Sequence, residues 1–397
     1  MLGLDRQRSR SRRRFGLMLR HLGRQPGGTG TYTNMMVRNI LSIDHSNEYV
    51  LLYDDPARLG TYRHFPNAIE VACRAPSKLL WDQLVVPWLA RRHGLDAIFN
   101  LKMTVPLLAP CPTALVQHGA DWFVMPEQYP IMDRLYFTLF ARLYWWRATR
   151  IVSVSDDSKQ RLARIMNASA AAKLVTIFHG VDAKFTTQPD AQSLARLRSR
   201  YSLRTPFVLY LGQIYQMKNV GGLIRAFARI KHRLPHDLVI VGKAEPRSAA
   251  ELALIDQLGL RDRVHVIGWV PDEDVPTFFH AADVFAFPSL YEGFGIPIIE
   301  AMAAGCPVVT SLAGACPEVA GDAAILVDPR NPDAIAAGIL QVLTDPELRE
   351  NLRQRGSARA REFTWEKSAR QTIHMLESMV PVEQPDLSGT RSASVEP

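Results

Sequence analysis

Short apolar runs alternate with helix-period stretches along the whole of this 397-residue chain, and that alternation leaves few folds open. A short apolar strand followed by an amphipathic helix is the repeating unit of a parallel sheet covered by helices. In the first half the strand candidates are Phe15–His21, Tyr49–Tyr53, Ala97–Asn100, Thr113–Gln117, Ile151–Ser155 and Leu174–Phe178. In the second half they are Phe207–Leu211, Leu238–Val241, Val264–Ile267, Val284–Phe287, Val308–Thr310 and Ile325–Val327. Two such sets predict an α/β chain of two doubly wound domains and not one large sheet. Residues 15–181 form the first domain and 206–363 the second. Between them 182–205 carries Pro189, polar residues and one charged helical stretch, and reads as the linker. In 364–380, Trp365, Ala369, Ile373 and Leu376 fall close to one face of a helix able to cross back to the first domain. The stretch 381–397, rich in Ser, Pro and Glu, reads as a disordered tail. In open α/β sheets ligands lie at the carboxyl ends of the strands, so the cleft between the domains is the expected site.

Composition removes several function classes. No uninterrupted apolar stretch is long enough for a membrane-spanning helix, and the Arg-rich start lacks the apolar core of a secretory signal. Cys73, Cys111, Cys306 and Cys316 form no CxxC and no zinc spacing with His, so they read as reduced, buried thiols and point to the cytoplasm. The net charge is +8, and residues 1–14 hold six Arg against one Asp. This basic start reads as a solvated, disordered tail; a weak anchor on an anionic membrane face is the sharper alternative. Nucleic acid is disfavoured as a partner, because the rest of the chain has no basic cluster with interleaved aromatics.

The strongest chemical signal is Pro288-Ser-Leu-Tyr-Glu292-Gly-Phe-Gly295-Ile-Pro297-Ile-Ile-Glu300. A buried strand runs into a glycine-containing loop and then a helix, with Pro297 in the first turn, where its missing N–H costs nothing. The N–H groups of Phe294, Gly295 and Ile296 are then free for an anion or for sugar hydroxyls. Glu292 and Glu300, one before and one inside the helix, can accept hydrogen bonds from separate hydroxyls of one ligand. As isolated residues both would read as surface or capping acids. In this loop they resemble the paired-glutamate motif of retaining glycosyltransferases of the family 4 type. The surrounding Ala282-Asp283, Gly305-Cys-Pro307-Val-Val and Pro317-Glu318-Val319 agree with that resemblance, which covers nearly all of 207–379. It implies the GT-B fold, two doubly wound Rossmann-like domains facing across a cleft. The second domain would hold a nucleotide-sugar donor and the first would lie on the acceptor side, with no metal and with retention of anomeric configuration. It also implies that Glu300 holds ribose hydroxyls and Glu292 a hydroxyl of the transferred sugar.

Further candidates sit where strands turn into helices. Lys218 follows the first strand of the second domain, where its point charge can offset charge on a departing diphosphate. The family usually has Arg directly after the glycine and often Arg before the lysine; this chain has Gln213 and Met217 there. Gly27 and Gly28 follow the first strand and allow close backbone approach to a diphosphate or sugar, although a plain tight turn explains a glycine pair equally well. The family has a glycine pair at this place. His118 closes the strand Thr113–Gln117; the family often has His-Asp here, near the donor sugar, whereas this chain has His-Gly with Asp121 three residues on. His179, in Phe178–Asp182, stands where the family has Asn and reads as structural with some donor contact. Val270, in Val266–Val270, lies in the loop that resembles the one meeting the base. Asp272-Glu273-Asp274 looks like a metal-binding Asp-x-Asp, but it stands at a helix start where acids suit the dipole, so it is taken as a helix opener.

The expectation is therefore a cytoplasmic, retaining, metal-independent hexosyltransferase, with a nucleotide sugar as substrate and no resident cofactor. The segment His118–Tyr129 resembles mannosyltransferases of surface-polysaccharide pathways and makes GDP-mannose the first donor to test. A glycan or lipid-linked acceptor follows from the same resemblance. The aromatic stretch Leu135–Arg147 has Tyr136, Phe137, Phe140, Tyr144, Trp145 and Trp146 among Arg134, Arg142 and Arg147, a composition suited to the inner membrane face or to a core helix. A GT-B nucleotide-sugar epimerase and a non-catalytic nucleotide-sugar-binding protein are the alternatives, the second resting on Gln213.

Overall fold

A computed structural model describes residues 12–20, 22, 27–245 and 248–381. Arg6, Arg8 and Arg10 of the basic start and nearly all of the expected C-terminal tail lie outside the described residues, as do His21 and Pro26.

The chain forms two parallel sheets. The first is seven-stranded, in the order β3-β2-β1-β4-β5-β6-β7, and the second six-stranded, in the order β10-β9-β8-β11-β12-β13. The strands of the first are β1 Arg14–Met18, β2 Glu48–Tyr53, β3 Ala68–Ala72, β4 Ala97–Asn100, β5 Thr113–Gln117, β6 Arg150–Ser153 and β7 Leu174–Thr176. Those of the second are β8 Phe207–Leu211, β9 Asp237–Val241, β10 Val264–Gly268, β11 Val284–Phe287, β12 Val308–Ser311 and β13 Ile325–Val327. Central strands such as β5, β9 and β11 are buried along their whole length, as the continuous apolar runs require when helices cover both faces. All twelve strand candidates appear, within a few residues of the expected ends. The strand missed is β3, Ala-Ile-Glu-Val-Ala, an edge strand that is half-buried throughout and therefore carries a charge in its middle. Between β9 and β10 lie two short helices, Ala249–Leu252 and Leu254–Gln257.

Strand order reverses direction between β1 and β4 in one sheet and between β8 and β11 in the other. These are the points where loops after adjacent strands splay apart and leave a crevice. The loops concerned carry Gly27, Leu101–Lys102, Gln213–Lys218 and Glu292–Gly295.

The two halves touch closely. A β-carbon on Gly293 would lie 1.9 Å from the carbonyl oxygen of His118, so only glycine fits there. Ser155 Oγ donates to Gly293 O at 2.7 Å, and the Ala120 N–H donates to Tyr291 Oη at 3.0 Å. Glu318 accepts from the N–H groups of Asp156 and Asp157 at 2.8 and 2.9 Å, at the start of the helix Asp156–Ile165. Its negative charge suits that helix N-terminus. The C-terminal helix Trp365–Ser378 lies along Gly28–Ile43 of the first half, where Asn47 Nδ2 donates to Glu377 Oε1 at 3.0 Å and Thr372 Oγ1 to Met36 Sδ at 3.5 Å. In the segment 182–205, the helix Ala191–Arg200 is tied to the second half, because Arg200 and Tyr201 both reach Asp274 Oδ2, at 3.0 and 2.6 Å.

Within the second half, Gly242 after β9 has φ +144°, and a β-carbon on it would lie 1.9 Å from Gly212 O in the loop after β8. Gly242→Ala is expected to destabilise the protein by about 2–4 kcal/mol, from a strained backbone plus a forced loop displacement. Urea unfolding checks this, and an unchanged midpoint would mean that the two loops do not press together.

Candidate functional site

The second half contributes a lysine and two glutamates. Lys218 ends the 3₁₀ turn Gln216–Lys218, and Asn219 follows it in the left-handed region at φ 57°. Asn219 tolerates that conformation better than most residues, and its Nδ2 bonds Pro288 O at 3.0 Å and Pro329 O at 2.6 Å, fixing the turn against the loop after β11. That brings Lys218 Nζ to 2.6 Å from Glu292 Oε1. Burial acts against the lysine charge, but Glu292 and the neighbouring Tyr215 more than offset it, so the amine is held above the usual lysine range and stays charged. Glu292 is 7% exposed, and its backbone is gripped by the loop after β12, with Ala315 N–H donating to Glu292 O at 3.0 Å.

Gly295, at φ 94°, turns the chain into the helix Ile296–Ala303, with Pro297 in its first turn. The N–H groups of Phe294, Gly295 and Ile296 donate to no backbone carbonyl among the described residues. Glu300 lies one turn further and is half-buried. Burial pushes its carboxyl up to about 7; Lys184 opposes the shift, while Asp182 and Asp272 add to it. The two glutamates therefore occupy different surroundings, Glu292 beside a cation and Glu300 beside the exit of the first domain. Val270, 4% exposed, follows β10 next to Trp269, which is 59% exposed.

The first half supplies the opposite wall. His118 Nε2 lies 2.8 Å from Leu101 O. A carbonyl only accepts, so Nε2 carries the proton and Nδ1 is left as an acceptor. Burial pulls the ring down to about 4, the Leu101 bond opposing and Lys102 assisting, so His118 is neutral at ordinary pH. Asp121 accepts from Tyr129 Oη and faces Lys218 and Glu292, whose charges both act on it; burial raises its carboxyl. Gly27 caps the helix Gly28–Ile43 at φ 149°, and the space where its β-carbon would be lies 3.8 Å from Gln213 Nε2. Gly28 has open space around its α-carbon. Tyr32, His118, His179, Phe294 and Trp365 form one ring cluster across the halves, with His179 and Phe294 centroids 4.7 Å apart. Both ring nitrogens of His179 are buried without a hydrogen-bond partner.

Lys218, Glu292, Gln213, Gly27 and His118 are thus brought to one place, with Phe294–Ile296 beside them, while Glu300 and Val270 line a second stretch. Asp121 opposite Lys218, the Gly293 contact and the Glu318 clamp were not picked out as site features. Glycine in Glu292-Gly293-Phe294 was visible, but its need depends on a carbonyl 175 residues earlier. Asp274 spends its carboxylate on Arg200 and Tyr201, and no group of three His, Cys, Asp or Glu side chains able to hold a metal occurs among the described residues. One expectation needs correction. Cys306 and Cys316 are buried, but Cys73 and Cys111 are only half-buried. In the helix Ile131–Arg147 the aromatic rings point inward: Tyr144 and Trp145 are buried, and Phe137 packs on Trp122 at 3.8 Å between centroids. Arg147 is used up by the carbonyls of Leu107, Ala109 and Cys111. Only Trp146, 72% exposed, faces out, together with aliphatic residues.

Comparison with known proteins finds the family model for glycosyl transferases group 1 matching residues 196–359. The O-antigen chain mannosyltransferase B of Escherichia coli is 35% identical over 260 residues, 65% of this chain and 68% of that protein. The serotype-specific mannosyltransferase WbdA of Escherichia coli is 27% identical over 274 residues; the match takes in 66% of this chain but only 33% of WbdA. Among solved structures, HepE of Anabaena in complex with UDP and glucose superposes with a TM-score of 0.73 at 20% identity, over 92% of this chain and all of that one.

Because folding raises the Glu300 pKa above its unfolded value, the native state holds an extra proton between those two values. Stability of the unliganded protein should therefore fall as pH rises toward about 7 through this group. Glu300→Gln should flatten the slope of unfolding free energy between pH 5 and 8, measured in urea; an identical slope in both proteins would mean that Glu300 is already ionised.

Proposed function

This chain belongs to the glycosyl transferases group 1 family, and on that premise we propose that it moves mannose from GDP-mannose to a glycan or lipid-linked acceptor in cell-surface polysaccharide biosynthesis, with retention of configuration and without a metal. The observation that carries the reading is the buried Lys218–Glu292 pair at 2.6 Å, set where the loops after β8 and β11 meet the end of β5. The likeness to two mannosyltransferases supports mannose as the sugar. Neither the epimerase nor the binding-only alternative draws support from those relatives.

Each residue then has a role that its surroundings allow. Lys218 keeps its charge and offsets the charge that grows on the departing diphosphate, joined by the N–H groups of Phe294, Gly295 and Ile296. A fixed cation at that position removes the need for a metal. Glu292, held in place by Lys218, and the neutral His118 through Nδ1 accept hydrogen bonds from hydroxyls of the sugar. Glu300, which loses its proton as pH rises through about 7, then accepts from the ribose, the backbone around Val270 meets the base, and Gly27 and Gly28 let the chain approach the phosphates closely. With one cation where the family commonly has more, Gln213 contributes only neutral hydrogen bonds.

Acceptors of this kind bring the protein to a membrane. No helix among the described residues is long and apolar enough to cross one. The helix Ile131–Arg147 instead turns Leu135, Leu139 and Leu143, spaced one turn apart, to solvent beside Ile131, Met132 and Trp146. Exposed Arg134 and Arg142 flank them. An apolar stripe between cations suits shallow insertion at an anionic inner membrane face.

Two measurements test these readings. With GDP-mannose as donor and a chelator present, transfer should persist, and Lys218→Ala should lower kcat by about 10²–10³ with a smaller change in donor affinity, because only interactions that strengthen toward the transition state accelerate chemistry. Near-normal kcat in a folded Lys218→Ala protein, or activity that needs added magnesium, would overturn the assignment. For the membrane face, vesicles containing phosphatidylglycerol should sediment the protein at low salt, and Leu139→Asp with Leu143→Asp should release it. Equal binding by that double variant would place the contact elsewhere.

A further inference from the structure

Three cations converge at the carboxyl edge of the first sheet. β1 and β4 run side by side with Met18 opposite Asn100, so Arg20 and Lys102, two residues beyond each strand end, emerge together. Lys78 begins the short helix Lys78–Leu80 after β3, and all three charges act on one another. None of the three forms an ion pair with a carboxylate among the described residues. Arg20 Nε is buried and has no hydrogen-bond partner. The nearby carboxylate, Asp82, accepts from Thr104 Oγ1 at 2.9 Å and offsets part of the charge of Lys78 and Arg20, one carboxylate against three cations. Burial, then Lys78 and Arg20, pull the Lys102 amine down to about 8. Three like charges gathered and partly desolvated around the single carboxylate Asp82 raise the free energy of the folded state, and an anion placed among them would lower it.

The position of the group gives it a partner. Lys102 acts on His118, and Leu101, its neighbour, binds the His118 ring, so the cations flank the cleft on the first-domain side. Lys218 follows β8 of the other sheet and pairs with Glu292 at 2.6 Å, so this is a second centre of positive charge, separate from the one assigned to the donor. Directly beyond Lys78 the chain exposes Leu79, Leu80 and Leu84. An anion held here would leave an attached hydrocarbon chain next to apolar surface.

We propose that Arg20, Lys78 and Lys102 form an anion subsite that takes the phosphate or diphosphate group of the acceptor. The assignment to an acceptor rests on the glycosyltransferase reading above; the anion site itself does not.

The test uses the full chain with Lys218→Ala, which removes the donor-side cation, and inorganic pyrophosphate as probe in calorimetry at low salt. Binding should survive Lys218→Ala. Adding Lys78→Glu, an exposed position that leaves the core untouched, should weaken it at least tenfold, and Lys102→Gln should do the same. Loss of binding with Lys218→Ala alone, or indifference to both first-domain substitutions, would overturn the subsite. Geranyl diphosphate in place of pyrophosphate separates the sources. Tenfold tighter binding identifies a lipid-linked phosphate, and equal binding a soluble phosphorylated glycan; both uphold the subsite. Intact pyrophosphate binding with no transfer to any phosphorylated acceptor would keep the anion site and overturn its assignment to an acceptor.

Discussion

The backbone of Gly293 rests against the carbonyl of His118 with no room for a β-carbon, and the width of the cleft follows from that contact. Apolar groups also meet across the halves, Met217 and Tyr291 packing in one cluster with Ala120 and Trp122, but such contact does not by itself fix a distance. Here the spacing is set by backbone touching backbone and by hydrogen bonds that need exact reach: Ser155 to Gly293, Ala120 to Tyr291, and Glu318 to the start of Asp156–Ile165. The helix Trp365–Ser378 adds apolar contact from the far side, joining the end of the chain to the first half.

Within that frame the charges are sorted by wall. On the second-domain side one lysine is neutralised by one glutamate at 2.6 Å and keeps its proton because of it. On the first-domain side His118 is neutral and presents an acceptor nitrogen, while Asp121 looks across at the ion pair. Behind His118 lies positive charge with no paired carboxylate. Two anionic groups, one on the donor and one on the acceptor, would each find positive charge on its own wall.

The helix Ile131–Arg147 shows how composition can mislead where direction decides. Six aromatics among arginines look like an interface, yet most of the rings are needed to fill the space over β5 and β6, where Trp122, Phe123 and Phe137 meet. What remains outside is an aliphatic stripe, Leu135, Leu139 and Leu143, that composition alone does not distinguish from core. Helical periodicity places these residues on one face but does not say which face is covered.

The sequence by itself determined the architecture and the turns on which the candidate site residues sit. Apolar runs long enough for one strand and separated by one helix have no other way to satisfy their backbones than two covered parallel sheets, and glycine, proline and glutamate at 292–300 can only be a strand-to-helix turn with free N–H groups. The edge strand Ala68–Ala72 escaped because one exposed side lets a glutamate sit in a strand. Tertiary structure alone decided which residues face one another: that Lys218 spends its charge on Glu292, that His118 is fixed in one tautomer by Leu101, that Gly293 must lack a side chain, and that Arg20, Lys78 and Lys102 share one neighbourhood. Each of these joins segments brought together only by strand order or by the meeting of the halves. A charge or a tautomer is set by what lies across a few ångströms of space, and distance along the chain carries no record of that.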